Sequence, residues 1–290
     1  MTDSSPVRGP WADAMRRLRG NRVATRSAAV ILVLLLLALI GPMLSAYALD
    51  DVDWDHFTIP PSLSSGHWLG TDSIGRDLFV RSLFGLRISL LVAVVATLVS
   101  LVIGVTWGAL AGYAGGRLDA AMMRTVDVLY SLPYIFFVIV LTVLFGSSLY
   151  LMFIAIGAVG WLTMARIVRG QTLALRRKEF IEAAIVAGVP TSRILLRHVV
   201  PNVIGPVIVY ATLTIPQVIL FESFLSFLGL GVQEPLTSLG KLIAEGALEM
   251  ETSAWMLIVP ATFLVVLLTS LSFLGDALRD AFDASQRQRP

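Results

Sequence analysis

Residues 176–201 read RRKEFIEAAIVAGVPTSRILLRHVVP, a polar, basic island in an otherwise apolar chain. Uncharged runs flank it at 27–49, 88–116, 128–165, 199–221 and 252–275. A bilayer-spanning helix needs about 20 apolar residues, so these runs are read as membrane spans. Within the island, 178–187 has helix-forming composition, and Glu179 and Glu182 lie toward its start, where acidic side chains favour the helix dipole. Gly188 fits the left-handed residue that closes a helix, and Pro190 prevents continuation. Thr191 or Ser192 then caps a second short helix leading to Pro201. Ala183, Ala184 and Ala187 leave one face with little bulk, suited to a groove on a soluble partner. Spacing alone gives equal weight to a helical hairpin that only supplies positive charge to one membrane face.

Composition agrees with the spans. Of 290 residues, 56% are hydrophobic and 14% charged, against about 25% charged in globular domains. The run 128–165, at 38 residues, exceeds one span. Gly146, Ser147 and Ser148 divide it by a tight turn into 128–145 and 149–165, giving an all-α integral membrane protein of six transmembrane helices. Arg76, Arg81, Arg87 and Lys241 are four of the 22 Lys and Arg; they fall on one side, and the other 18 on the opposite side. The positive-inside rule then sets both termini in the cytoplasm. The expected divisions are a cytoplasmic segment 1–26, a first span 27–49, an extracytoplasmic loop 50–87, a core 88–276 containing 178–188, and a cytoplasmic tail 277–290. The first apolar run exceeds a signal-peptide core, so no cleavage is expected. With no cysteine, disulfides and thiol chemistry are excluded, and a net charge of +2 gives no nucleic-acid signal.

Residues 11–26 are read as an amphipathic helix at the inner interface, with Trp11, Met15 and Leu18 on one face. In the first loop, Thr71 or Asp72 is expected to cap a helix starting near Gly75. Residues 229–251 form a second outer segment with a short helix. Gly104, Gly108 and Gly112 recur every fourth residue, as close helix packing requires; a pore lining fits the spacing equally.

Arg124 and Asp127 stand three apart at the cytoplasmic start of the third span, where they pair as i, i+3 neighbours, as a structural ion pair or a gate. Glu222, beside Ser223 and Ser226, is the polar residue of the outer mouth, facing protein or water. Pro133 and Pro216 predict kinks or unwinding. Enzyme signals fail: Gly240-Lys241 is followed by Leu242 where a P-loop needs Ser or Thr, and Pro235 replaces its first glycine. His56, His67 and His198 are assigned to opposite membrane faces, so no metal cluster is expected, nor any catalytic residue or cofactor-binding site.

The spacing Glu182-Ala183-Ala184-x3-Gly188-x12-Pro201 resembles the EAA signature of membrane subunits of bacterial ABC importers. RHVVPN at 197–202 is similar to the variant in the dipeptide/oligopeptide/nickel branch, as are HWLGTDSIGRDLFVRSLFGLRISL (67–90), RTVDVLYSLPYIF (124–136), ESFLSFLGLGVQEP (222–235) and SFLGDALRDAFD (272–283). The long first loop is similar to that of the C-type subunit. The resemblance implies a type I ABC importer permease fold in the bacterial cytoplasmic membrane, importing di- or oligopeptides by alternating access. It implies that Glu182, Ala183, Ala184 and Gly188 form a coupling helix seated on an ATP-binding subunit. Partners implied are a homologous B-type permease, two ATP-binding subunits or domains, and an extracytoplasmic substrate-binding protein. ATP and Mg²⁺ would reside on those ATP-binding partners. Nickel chelates, glutathione and haem-like cargo fit the same family.

A stand-alone secondary transporter or channel would carry charges at mid-span and need no docking element; this chain has nearly charge-free span centres. A membrane scaffold without transport is the third alternative.

Overall fold

The computed structural model describes residues 10–145 and 148–287. It is helical, with no strand among the described residues. Helices α1 (Pro10–Gly20), α2 (Arg22–Leu44) and α3 (Leu78–Ala114) open the chain; α4 (Gly116–Ser131), α5 (Tyr134–Phe145) and α6 (Leu149–Arg176) follow. Next come α7 (Glu179–Val186), α8 (Thr191–Ile194), a π-helical turn (Leu195–Val199) and α9 (Val200–Phe227), and last α10 (Leu239–Leu248) and α11 (Trp255–Arg287).

The amphipathic segment expected at 11–26 divides in two. Asn21 stops α1 and caps α2, its side chain accepting from the backbone N–H groups of Val23 (2.9 Å) and Ala24 (3.3 Å). An asparagine is among the strongest N-caps, so the first long helix starts at Arg22, not at 27. Similarly α3 starts at Leu78, capped by Asp77, which accepts from the Val80 N–H at 2.8 Å. The caps expected at Thr71 or Asp72 are engaged elsewhere in the loop: Thr71 accepts from the Ile59 N–H, and Asp72 holds Arg76 and Arg81.

Among the described residues, five helices are long and apolar enough to cross a membrane, and a sixth crossing forms if α4 and α5 count as one broken span bent by 81°. The break falls where Pro133 lacks an N–H and forces Leu132 into extended backbone (φ −76°, ψ 137°). Pro216 behaves differently: α9 stays helical through it. The turn expected at 146–148 lies outside the described residues at 146 and 147, whereas Ser148 caps α6 through the Leu151 N–H at 3.2 Å.

Helices α3 and α6 form the centre of the bundle. Gly104, Gly108 and Gly112 all face α6: a Cβ at Gly104 would lie 2.6 Å from Met164 Cβ, and one at Gly112 would lie 2.8 Å from the Arg169 carbonyl. The glycine stripe is therefore a packing seam. Leu86, Val92, Ala96, Ile156, Ile219 and Leu267 fill the main core between α3, α6, α9 and α11. Leu32, Val33 and Leu39 of α2 remain exposed, an apolar surface that suits lipid.

Candidate functional site: the α7–α8 hairpin and the polar ties of the bundle

Helix α7 carries Glu182, Ala183 and Ala184, and its closure follows from its sequence. Gly188 takes φ +72°. Its N–H reaches the Ile185 carbonyl (3.0 Å), and the Val189 N–H reaches that of Ala184 (3.1 Å). This paired closure is the Schellman arrangement, which needs a left-handed residue where Gly188 stands. Pro190 then precedes α8, whose start has no side-chain cap, so neither Thr191 nor Ser192 serves as expected. Pro201 offers no N–H to the preceding turn, which widens into the π-helical Leu195–Val199. The Asn202 side chain donates to the His198 carbonyl at 2.6 Å.

Two faces of this hairpin do different things. Ile181 is fully buried and packs with Ala109 of α3, Met164 and Val168 of α6, and Ile194, Val199 and Val203. Glu182, Ala183 and Gly188 are exposed, and Ala184 is half-buried. Phe180, Val186 and Leu196 are also exposed, at 45%, 88% and 72%. The hairpin thus anchors one isoleucine among three helices and turns large apolar side chains outward.

The ion pairs differ from the expected ones. Arg124 is not the partner of Asp127: Arg166 of α6 donates to Asp127 at 2.9 Å, its guanidinium 4.3 Å above the Tyr130 ring. That ring holds the arginine beside α4, so a contact between helices replaces the i, i+3 pair. The stronger tie is Arg169 with Asp119, a two-pronged contact at 2.5 and 2.7 Å joining α6 to α4. Fifty positions separate the two in sequence, and no local spacing announces them.

A cavity of about 310 Å³ opens beside the Leu132–Pro133 break. Leu129 and Tyr130 line it with Gly160 of α6 and Tyr210, Thr214 and Gln217 of α9.

At the other end of the bundle, Glu222 faces protein. It is fully buried, accepting from Ser226 (2.7 Å) and from Ser89 of α3 (3.0 Å). Ser89 in turn accepts from the Leu239 N–H at the start of α10 (3.2 Å). One carboxylate thus joins α3, α9 and α10. Nearby, Asp72 and Arg81 are paired and almost wholly buried, and Arg81 also meets Glu245 of α10 at 3.1 Å. Arg76 reaches Glu234 at 3.1 Å, and its hydrogen bond holds the Glu234 carboxyl below the usual glutamate range.

The histidine expectation needs correction: His56 and His67 lie together, ring centroids 5.8 Å apart, with Asp53 between them. The α2–α3 loop folds back on itself, the Thr71 hydroxyl donating to the His56 carbonyl at 2.8 Å, which brings positions 56 and 67 into one cluster.

Comparison with known proteins agrees with this architecture. The family described as binding-protein-dependent transport system inner membrane component matches residues 104–288, and the N-terminal TM domain of oligopeptide transport permease C matches residues 9–61. The chain is 56% identical to the oligopeptide transport system permease protein OppC of Escherichia coli (strain K12), over 97% of this chain and 93% of that one. It is 43% identical to the dipeptide transport system permease protein DppC of Bacillus subtilis (strain 168), over 95% and 86%. The inward-facing MetNI methionine ABC transporter shares the fold, with TM-score 0.54 at 19% identity over 70% of this chain and 96% of that one. The chain belongs to the inner-membrane permease family of binding-protein-dependent ABC importers, a multi-pass family of the bacterial inner membrane.

Proposed function

We propose that this chain is the C-type permease half of an ATP-driven oligopeptide importer, with α7 as its coupling helix. The observation that carries the reading is the two-faced hairpin: Ile181 buried among α3, α6 and the start of α9, and Phe180, Val186 and Leu196 uncovered beside Glu182 and Ala183. Closure of a nucleotide-binding dimer would pull this hairpin, and Ile181 would pass the movement to the bundle core. The break at Pro133 and the cavity beside it give the spans a place to open and close. Both termini lie in the cytoplasm in this reading, which the arginine distribution supports. Relatives named for oligopeptide and dipeptide transport support the cargo class.

The chain itself contributes no catalytic residue; ATP and Mg²⁺ bind separate subunits, and a second permease and a substrate-binding protein complete the machine. Reconstitution tests this directly. The purified chain alone should hydrolyse no ATP, and peptide uptake into vesicles should require the ATP-binding subunits, the second permease and the binding protein together. Uptake by the chain alone would identify a stand-alone transporter instead.

A further inference from the structure

Three side chains of metal-ligating type converge in the α2–α3 loop: the carboxylate of Asp53 and one ring nitrogen each from His56 and His67, all within 4.8 Å of one another. Asp53 Oδ2 lies 2.9 Å from His56 Nδ1 and 3.3 Å from His67 Nε2. Tetrahedral zinc, with bonds of about 2.0–2.1 Å, separates neighbouring ligands by roughly 3.3 Å, close to both Asp53–histidine separations. The other Asp53 oxygen is engaged, accepting from the Asp55 N–H at 3.0 Å. Behind His67, Nδ1 lies 2.9 Å from Asp77 Oδ2, the carboxylate–histidine pairing that fixes which nitrogen faces a metal. His67 is fully buried and stacked on Tyr47 at 4.2 Å, so its ring is held in place. The His56 and Asp53 side chains are 41% and 25% exposed, which leaves an ion a way in and a position open to water.

One ring nitrogen of each histidine approaches the same oxygen of Asp53, so three atoms of ligand type already share one small volume at the edge of the loop.

We propose that Asp53, His56 and His67 bind one divalent transition-metal ion of the zinc type, with Asp77 positioning His67 and water completing the coordination. Two imidazoles and one carboxylate suit zinc or its neighbours rather than magnesium or calcium, which prefer oxygen alone. Because Asp77 also caps α3, the ion fastens the loop to the start of that helix. The inference is independent of the transport reading.

The test uses the full chain in lipid nanodiscs, with any transporter subunits that purify with it, stripped by chelator and titrated with Zn²⁺ against a chromophoric chelator. The unaltered protein should take up one more zinc ion than His56→Ala, and Co²⁺ should give tetrahedral absorption bands that the variant lacks. Asp77→Asn, which retains a capping side chain, should weaken binding about 10–100-fold. Matching unfolding temperatures for the metal-free proteins would show that His56→Ala still folds. Equal zinc stoichiometry in the unaltered protein and His56→Ala, both folded, would overturn the proposal and leave the cluster an internal hydrogen-bond network of the loop.

Discussion

Val189 donates its backbone N–H to the Ala184 carbonyl at 3.1 Å, and that bond folds the chain back at the end of the helix carrying Glu182. It depends on Gly188 at φ +72°, where a Cβ would find nothing within 4 Å. A substitution there meets no neighbour, so its cost is conformational, about 1–2 kcal/mol for an ordinary L-residue and more for a β-branched one. Gly188→Val should leave the spans folded but lower peptide uptake per ATP hydrolysed, and Gly188→Asn should do so less, because asparagine tolerates this conformation. Paired uptake and hydrolysis measurements check the order.

The Asp119–Arg169 contact ties α4 to α6. Arg169 is about one-third exposed, so solvent screening limits the loss to roughly 1–2 kcal/mol on Asp119→Ala. The unfolding temperature in detergent should fall for either single substitution. The exchange Asp119→Arg with Arg169→Asp should recover part of the loss.

Glu222 accepts hydrogen bonds from serines on two helices while fully buried. Glu222→Gln retains an acceptor and should be tolerated. Glu222→Ala leaves the buried Ser89 hydroxyl without its acceptor, while Ser226 keeps Ser238 at 3.2 Å; the loss, about 1–3 kcal/mol for one unsatisfied group, should lower the unfolding temperature more than the glutamine variant does.

The Arg76–Glu234 bridge predicts a pH dependence with a definite sign. Hydrogen bonding to Arg76 holds the Glu234 carboxyl below its ordinary value in the folded protein. Its contribution is therefore present above the unfolded glutamate range, near pH ~4.3, and is lost as pH falls through the lower folded value. Glu234→Gln should reduce the unfolding temperature slightly at pH 7, and the gap to the unaltered protein should close in acid. Glu234 is largely exposed, so the effect is small.

Much of this was legible in residues 176–201, because helix closure by Gly188 and interruption by Pro190 are local events that a short sequence specifies. The bend at Pro133 was legible for the same reason. Pro42 marks where local reading ends. The Ala38 carbonyl, four residues before it, loses its helical partner, and Arg87 of α3 donates to it at 3.0 Å; only packing of α2 against α3 shows this. The cap of α3 fell at Asp77 because Asp72 is drawn to Arg76 and Arg81. Arg166 displaced Arg124 at Asp127 through a contact between helices. His56 and His67 meet because a loop doubles back, which no residue spacing encodes.

The central claim, that α7 seats on an ATP-binding subunit, is tested most directly by site-directed crosslinking. The chain has no cysteine, so one placed at Ala183 is unique. In assembled, transporting vesicles it should crosslink to an ATP-binding subunit, with a yield that changes on adding ATP, while a cysteine at the exposed Ser64 should not. A transporter that imports peptide while Ala183→Cys reacts only with reagents from outside the membrane would contradict the account.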